Sequence, residues 1–385
     1  MSTKYLCLNC WRTPTLEETY YRCPQCGSGG GADLADWLKR RSVGSLSRVS
    51  DLRVSWSKHL ISGEPQKPRC PQHPKANLSF YCPCQAYLPP SSVLTNAPWG
   101  LGIAGPRSSG KTLLTITMVN ELRGLQVDNG KRLALEGVGK TEERFHKLSD
   151  QFLNGGARPS ATDPPAKDEA LEADEERNFC WNLYVAESDG RPKAAAILPI
   201  YDVAGETWGM PSDESLARFD RYMGLVRSLV FLIDGAAVAA DLDYTERDAW
   251  ARVKLSRQSG WSDRQWLTRV QERLGERAGQ VDIALVLSKA DYFWDRPEWM
   301  DLRQGTPEER FRPSLEQLLR QSKRLDLLVT ARAHFRRVEL FSLSSLGFHP
   351  GPNDVQQERL VRLPEPKNVT GPFAWLLKNR FAGPR

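Results

Sequence analysis

Apolar positions are sparse and irregular over the first ninety residues and strongly patterned after them. Short apolar runs bounded by turn residues predict buried strands at residues 101–104, 195–200, 229–234, 281–287 and 338–343. Residues 179–185 and 195–200 flank the turn signal Ser188-Asp189-Gly190 and predict a hairpin. Helical spacing marks residues 113–122, 141–153, 216–226 and 369–377. In the first quarter, 20–22 reads as a short strand and 32–41 as a helix with Leu34, Trp37 and Leu38 on one face. No run reaches the ~18 apolar residues of a membrane span, since the longest, 229–240, is interrupted by Asp234. The first residues lack the apolar core of a signal peptide. A cytoplasmic protein without a membrane segment is therefore expected.

Composition divides the chain at the same place. Its 385 residues exceed one ordinary domain, and 40% apolar with 26% charged residues is globular composition. The net charge of +6 lies wholly in residues 1–90, where 12 basic residues face 6 acidic ones; the remainder is balanced at 41 of each. Seven of the eight cysteines precede residue 85. In a cytoplasmic chain, clustered cysteines point to metal before disulfides.

Cys7-Leu-Asn-Cys10 and Cys23-Pro-Gln-Cys26 are two knuckles that together supply the four thiolates of a structural zinc site. Cys70-Pro-Gln-His73 and Cys82-Pro-Cys84 supply three thiolates and an imidazole for a second. The expectation is two Zn2+, one bound by Cys7, Cys10, Cys23 and Cys26, the other by Cys70, His73, Cys82 and Cys84. Residues 1–31 then form a zinc ribbon and 67–92 a second zinc module. Residues 32–66 form a basic helix and linker with Arg48, Arg53, Lys58 and Trp56. That basic segment leaves nucleic-acid contact open, though a solvated linker is the simpler reading.

Gly105-Pro-Arg-Ser-Ser-Gly-Lys111-Thr112 matches G-x-x-x-x-G-K-[ST] and sits between a strand and a helix. In such a loop the backbone of Gly105, Ser108, Ser109, Gly110 and Leu113 turns inward on phosphate oxygens. Lys111 neutralises the β- and γ-phosphates, and Thr112 ligates Mg2+. Cys180 reads as a buried small apolar residue, and the histidines other than His73 as structural or exposed.

Three later segments resemble the remaining motifs of Ras-like (TRAFAC) P-loop GTPases. Asp202-Val-Ala-Gly205 ends a strand like D-x-x-G, which implies that Asp202 meets Mg2+ and Gly205 the γ-phosphate. Ser288-Lys289-Ala290-Asp291 is similar to [NT]-K-x-D, with Asp291 accepting two hydrogen bonds from guanine and the Lys289 stem over the base. Ser288 departs from the usual Asn or Thr. Ser344-Ser345-Leu346-Gly347 resembles the loop whose backbone approaches guanine O6. The resemblance spans residues 97–382 and implies a Ras-like three-layer α/β/α domain over 93–385, with an insertion at about 154–178, and GTP/GDP and Mg2+ as ligands. Thr162 is the chosen first-switch threonine, with Thr141 its competitor. Glu206 stands where relatives carry a water-orienting Gln, and Arg107 replaces a small P-loop residue. Both departures imply slow hydrolysis unless a partner assists, with Arg107 a possible internal arginine finger. Trp208 and Met210, beside the second switch, are candidate readout residues.

Arg107, the zinc-bearing N-terminus, the insertion before Phe179 and the tail around Trp375 make the chain similar to the bacterial double-GTPase proteins. That resemblance implies a molecular switch in a conflict or defence system, with a paired GTPase or GTPase-associated effector as partner. A non-hydrolysing nucleotide-binding scaffold, an ATPase and a zinc-ribbon GTPase acting on nucleic acid are the alternatives.

Overall fold

In a computed structural model, the chain forms two compact units, Met1–Pro98 and Trp99–Arg385. The structure describes residues 4–15, 18–22, 47–48, 79–84, 86–94, 98–123, 125–127, 131–156, 178–186, 192–201, 217–244, 262–303, 311–350, 355–356, 359–360 and 362–381.

In the first unit, β1 (Tyr20–Arg22), β2 (Ser47–Arg48), β3 (Ser79–Tyr81) and β4 (Tyr87–Leu88) form an antiparallel sheet in the order β2-β1-β3-β4. Its buried cluster is small: Tyr5, Cys7, Cys10, Phe80, Cys82 and Leu88. Three of those six are cysteines.

The second unit is built on an eight-stranded sheet. Its strands are β5 (Gly100–Ala104), β6 (Gln126–Val127), β7 (Lys131–Gly137), β8 (Asn178–Ala186), β9 (Pro192–Tyr201), β10 (Val226–Asp234), β11 (Asp282–Ser288) and β12 (Arg337–Ser342). The order is β12-β11-β10-β5-β9-β8-β7-β6. The first five are mutually parallel, and β8, β7 and β6 continue antiparallel. The chain therefore leaves all five parallel strands at one edge of the sheet, through Ser342, Ser288, Asp234, Ala104 and Tyr201. A short hairpin, β13 (Val355–Gln356) with β14 (Arg359–Leu360), stands apart from this sheet.

The helices are α1 (Lys111–Leu122), α2 (Thr141–Ser149), α3 (Ala217–Leu225), α4 (Gly235–Asp241), α5 (Asp263–Leu274), α6 (Phe311–Gln321), α7 (Leu325–His334) and α8 (Gly371–Phe381). Successive strand residues point to opposite faces. Ile103, Leu198, Val230, Leu232, Val286 and Phe341 pack with Leu114 and Met118 of α1, Phe145 of α2 and Phe373 and Leu376 of α8. The alternate positions Leu229, Phe231, Ile233, Ile283, Leu285 and Leu287 are equally buried. Helix α3 packs on α5, α7 on α5 and β12, giving a helix layer on each face. Strands buried on both faces need such two-sided cover: β11, for instance, is buried throughout its length.

The hairpin strands, the helix before β10 and the terminal helix lie where the sequence pattern places them. Helix α2 widens after Ser149, where the Gly155 N–H bonds the Asp150 carbonyl at 3.0 Å, five residues back. The strand pair β6–β7 was not foreseen. It extends the sheet beyond β8 between α1 and α2.

Candidate nucleotide and metal sites

The phosphate loop leaves β5 at Ala104 and enters α1 at Lys111. Gly105 has φ 149°, and a Cβ there would lie 2.8 Å from the Leu232 carbonyl oxygen, so only glycine fits beside β10. Gly110 has φ 92° at the start of α1, and no side chain caps that helix. Such a helix N-terminus is the end that favours phosphate oxygens. Ser108 takes φ 63°, an unusual left-handed conformation for a non-glycine residue. Arg107 and Ser108 are exposed, whereas Ser109 is buried. The Lys111 ammonium, 7% exposed, donates to the carbonyls of Gly105 at 3.1 Å and Pro106 at 2.9 Å. Those loop oxygens occupy the cation that a phosphate would take over. Thr112 follows in the first turn of α1.

The segments expected to recognise the base follow β11 and β12. Ser288 ends β11, and Asp291 follows in a single tight turn, Ala290–Tyr292. Ser344-Ser345-Leu346-Gly347 follows β12. The two loops are stitched together by the Ala290 N–H, which donates to the Leu343 carbonyl at 3.0 Å. The second loop is also tied to residues 365–367: Ser344 and Lys367 exchange backbone hydrogen bonds at 3.1 and 2.8 Å, and the Glu365 N–H bonds Leu346 at 2.8 Å. Ser344 Oγ accepts from the Gly347 N–H at 2.8 Å. Asp291 is 7% exposed. Burial pushes its carboxyl above the ordinary carboxylate range, and a hydrogen bond with the Ser344 side chain opposes that shift.

Ser288 ends β11, where the sequence places it. Its hydroxyl donates to the Ile233 carbonyl at 3.0 Å and is buried, so it bolts β11 to β10. His349, read from sequence as structural or exposed, lies with Nδ1 3.9 Å from Asp291 Oδ2 and its ring 4.1 Å from that of Tyr292. Nothing in its local sequence signals that neighbourhood, which arises because the chain after β12 folds back over the turn after β11.

Gly235 marks the closest approach between β10 and the base-recognition turn. A Cβ there would collide with the Ser288 carbonyl oxygen and lie 2.8 Å from that of Lys289. Gly235→Ala is expected to destabilise the protein by about 1–3 kcal/mol through overpacking. Thermal denaturation checks it, and an unchanged midpoint would contradict the close approach.

Thr141 is buried, and its hydroxyl accepts from the Cys180 N–H at 3.1 Å, an engagement that ties α2 to β8. Strand β9 stops one residue short of Asp202. Asp202, Gly205, Glu206, Trp208, Met210 and Thr162 lie outside the described residues, as do Cys23, Cys26, Cys70 and His73.

The metal-ligand grouping needs correction. The structure gathers Cys7 and Cys10 with Cys82 and Cys84, all four sulfurs within 4.8 Å of one another. Among the described residues, Cys82 and Cys84, expected in the second set, stand with Cys7 and Cys10 of the first. Antiparallel pairing explains why. Tyr20 lies opposite Tyr81, so Cys82 leaves β3 at the end where the chain of the first knuckle enters β1.

The Cys7–Cys84 and Cys10–Cys82 sulfur distances are both 3.6 Å. A tetrahedral Zn2+ with ~2.3 Å bonds separates its sulfurs by about 3.8 Å. The donor set thus fits a structural zinc ion. Shared thiol hydrogen bonds polarise the cluster: Cys10 is pushed down to about 7 by its bonds to Cys7 and Cys82, and Cys84 is lowered, while Cys7 and Cys82 are raised. The knuckle is shaped by backbone bonds from Cys7 N–H to Arg12 and Trp11 N–H to Cys7, with Trp11 at φ 59°.

Neither a protein-family model nor a curated protein matches the sequence. Among solved structures, the chain is similar to the ADP-ribosylation-factor-like GTP-binding protein, small COPII coat GTPase SAR1, of Encephalitozoon cuniculi in complex with GDP. That likeness has 11% identity and a TM-score of 0.29, over 74% of this chain and 82% of the other. It is also similar to the GTPase-like domain of S. cerevisiae Ski7 bound to GDP and inorganic phosphate, at 13% identity and a TM-score of 0.33, over 75% of this chain and 51% of that one.

Proposed function

We propose that the chain is a guanine-nucleotide-binding switch with a zinc-stabilised N-terminal module. The observation that carries this reading is the convergence of three loops at one sheet edge. A phosphate loop follows β5, a buried carboxylate follows β11, and a backbone turn braced from residues 365–367 follows β12. In parallel α/β sheets, ligands bind outside the carboxyl ends of the strands.

In this reading the Lys111 ammonium and the backbone N–H groups of Gly105, Ser108, Ser109, Gly110, Lys111, Thr112 and Leu113 hold the phosphates. Asp291 accepts from guanine N1 and N2, and the loop at Ser344, Ser345 and Leu346 faces O6. Thr112, Thr162 and Asp202 would hold Mg2+, which supplies charge neutralisation at the phosphates. Gly205 meets the terminal phosphate and Glu206 orients water. Hydrolysis to GDP and phosphate is slow unassisted, because Glu206 repels that phosphate. Two Zn2+ are proposed, one on Cys7, Cys10, Cys82 and Cys84. The resemblance to bacterial double-GTPase proteins supports a defence-type role in the cytoplasm, with a paired GTPase or effector protein docking on the switch.

Hydrogen exchange tests the switch. Residues 157–177 and 202–216 should exchange more slowly with a non-hydrolysable GTP analogue and Mg2+ than with GDP, because the third phosphate orders both segments. Identical exchange in the two states would leave a binding scaffold without switching.

A further inference from the structure

Asp234 ends the β-strand next to the phosphate loop, and no phosphate or base motif includes it. It is 2% exposed and carries a carboxylate at the sheet edge where the nucleotide loops converge. Its partner is the ammonium of Lys289, with Nζ 2.8 Å from Oδ1. The same oxygen accepts from the Ala236 N–H at 3.1 Å and caps α4. Lys289 itself stands at φ 52°, a left-handed conformation uncommon for a residue with a β-carbon. Its position is thus fixed from both ends, by the backbone turn and by the ion pair. Two further contacts lock the turn to the same strand end, the Ser288 hydroxyl on Ile233 and the close passage of Gly235 under residues 288–289.

From this geometry we propose that Asp234 is a positioning residue for guanine recognition. Its carboxylate holds the Lys289 ammonium and so sets the lysine's four-carbon stem as the face on which the base lies. The proposal rests on the guanine-site reading above and deepens it. The electrostatics favour the pairing. Asp234 is close enough to the buried Asp263 to raise that carboxyl's proton affinity, so its own charge needs a cation. Arg324, the nearby guanidinium, is already committed to Asp241 at 2.5 Å and Asp263 at 2.7 Å. Lys289 is the cation placed to balance Asp234. A lysine stem held by a buried anion is a preorganised surface, which lowers the ordering cost when the base arrives.

The alternative is that Asp234 only caps α4. Asn and Ser are helix caps of comparable rank to Asp, so Asp234→Asn keeps the cap and removes the charge. Asp234→Ser serves the same purpose where the amide disturbs folding. The experiment is a calorimetric titration of the full zinc-loaded chain with a non-hydrolysable GTP analogue and Mg2+. Wild type, Asp234→Asn, Lys289→Met and the double variant are compared, with melting temperatures measured alongside.

Each single variant is expected to bind about tenfold more weakly, and the double variant no more weakly than Lys289→Met alone, because both remove one interaction. Wild-type affinity in Asp234→Asn, or losses that multiply in the double variant, would overturn the proposal. A wild-type chain that binds no guanine nucleotide would remove the guanine-site reading itself, and this inference with it.

Discussion

Removing one cysteine from the N-terminal cluster should remove one zinc ion and unfold the first unit. Cys10→Ala and Cys82→Ala are each expected to release the same single ion, and the double variant to release no second one. That outcome follows from the gathering of Cys7, Cys10, Cys82 and Cys84 around one point. Under the grouping that spacing suggests, those two substitutions would strike different ions and the double variant would lose two. Zinc per chain, measured by elemental analysis after gel filtration, separates the two results.

The energetic effect is large because the apolar cluster among the described residues of this unit is small. The buried cluster consists of Tyr5, Phe80, Leu88 and three of the thiols. Structural zinc in small modules contributes roughly 10–16 kcal/mol of apparent binding free energy at neutral pH, and that energy is folding energy. Chelation is therefore expected to abolish the first unit's dispersed amide resonances and leave those of residues 99–385 in place. Cys180→Ala, in the buried strand β8, should leave the zinc content unchanged.

Asp291→Asn should invert the base preference. Guanine presents two donors, N1–H and N2–H, to a carboxylate with two acceptor oxygens. An amide offers one acceptor and one donor, so its NH2 faces the guanine N2 amine with donor against donor. Truncating a buried hydrogen-bonded charge costs about 2–5 kcal/mol, so GTP affinity should fall at least about thirtyfold. Xanthine carries a carbonyl at C2, which accepts from the new amide, and xanthosine triphosphate should bind the variant better than GTP does. Unaltered GTP binding by Asp291→Asn would place the base elsewhere. Because burial raises the Asp291 carboxyl's pKa, the carboxylate is also lost earlier on acidification than an ordinary one. GTP affinity should weaken accordingly as pH falls through that raised value.

The strand–loop–helix at Gly105–Thr112 was legible because its signature is contiguous. A loop that wraps phosphate must place glycines, Lys111 and Thr112 within eight residues, and a strand and helix must flank it. The strand-end motifs were legible for a related reason: a fully apolar run such as Ile283–Leu287 ends abruptly in polar residues at the sheet edge. The zinc grouping was not legible. Spacing within a knuckle is local, whereas the choice of which knuckles meet belongs to the pairing of β1 with β3.

The hairpin β6–β7 carried a readable signal that went unused. Along β7, Leu133 is buried and Leu135 half-buried, while Arg132, Ala134 and Glu136 are exposed, the alternation of a one-sided strand. The placement of Asp234 beside Lys289 and of His349 near Asp291 had no such signal. Each depends on a neighbour about sixty residues away, brought close only by the parallel strand order.

The central claim is that this edge of the sheet binds guanine nucleotides. Its most direct test is calorimetric titration of the zinc-loaded chain with non-hydrolysable GTP and ATP analogues in Mg2+, beside Lys111→Ala. The account predicts saturable binding of the GTP analogue, much weaker binding of the ATP analogue, and loss of both in Lys111→Ala. Preference for the ATP analogue, or binding that survives Lys111→Ala, would contradict it.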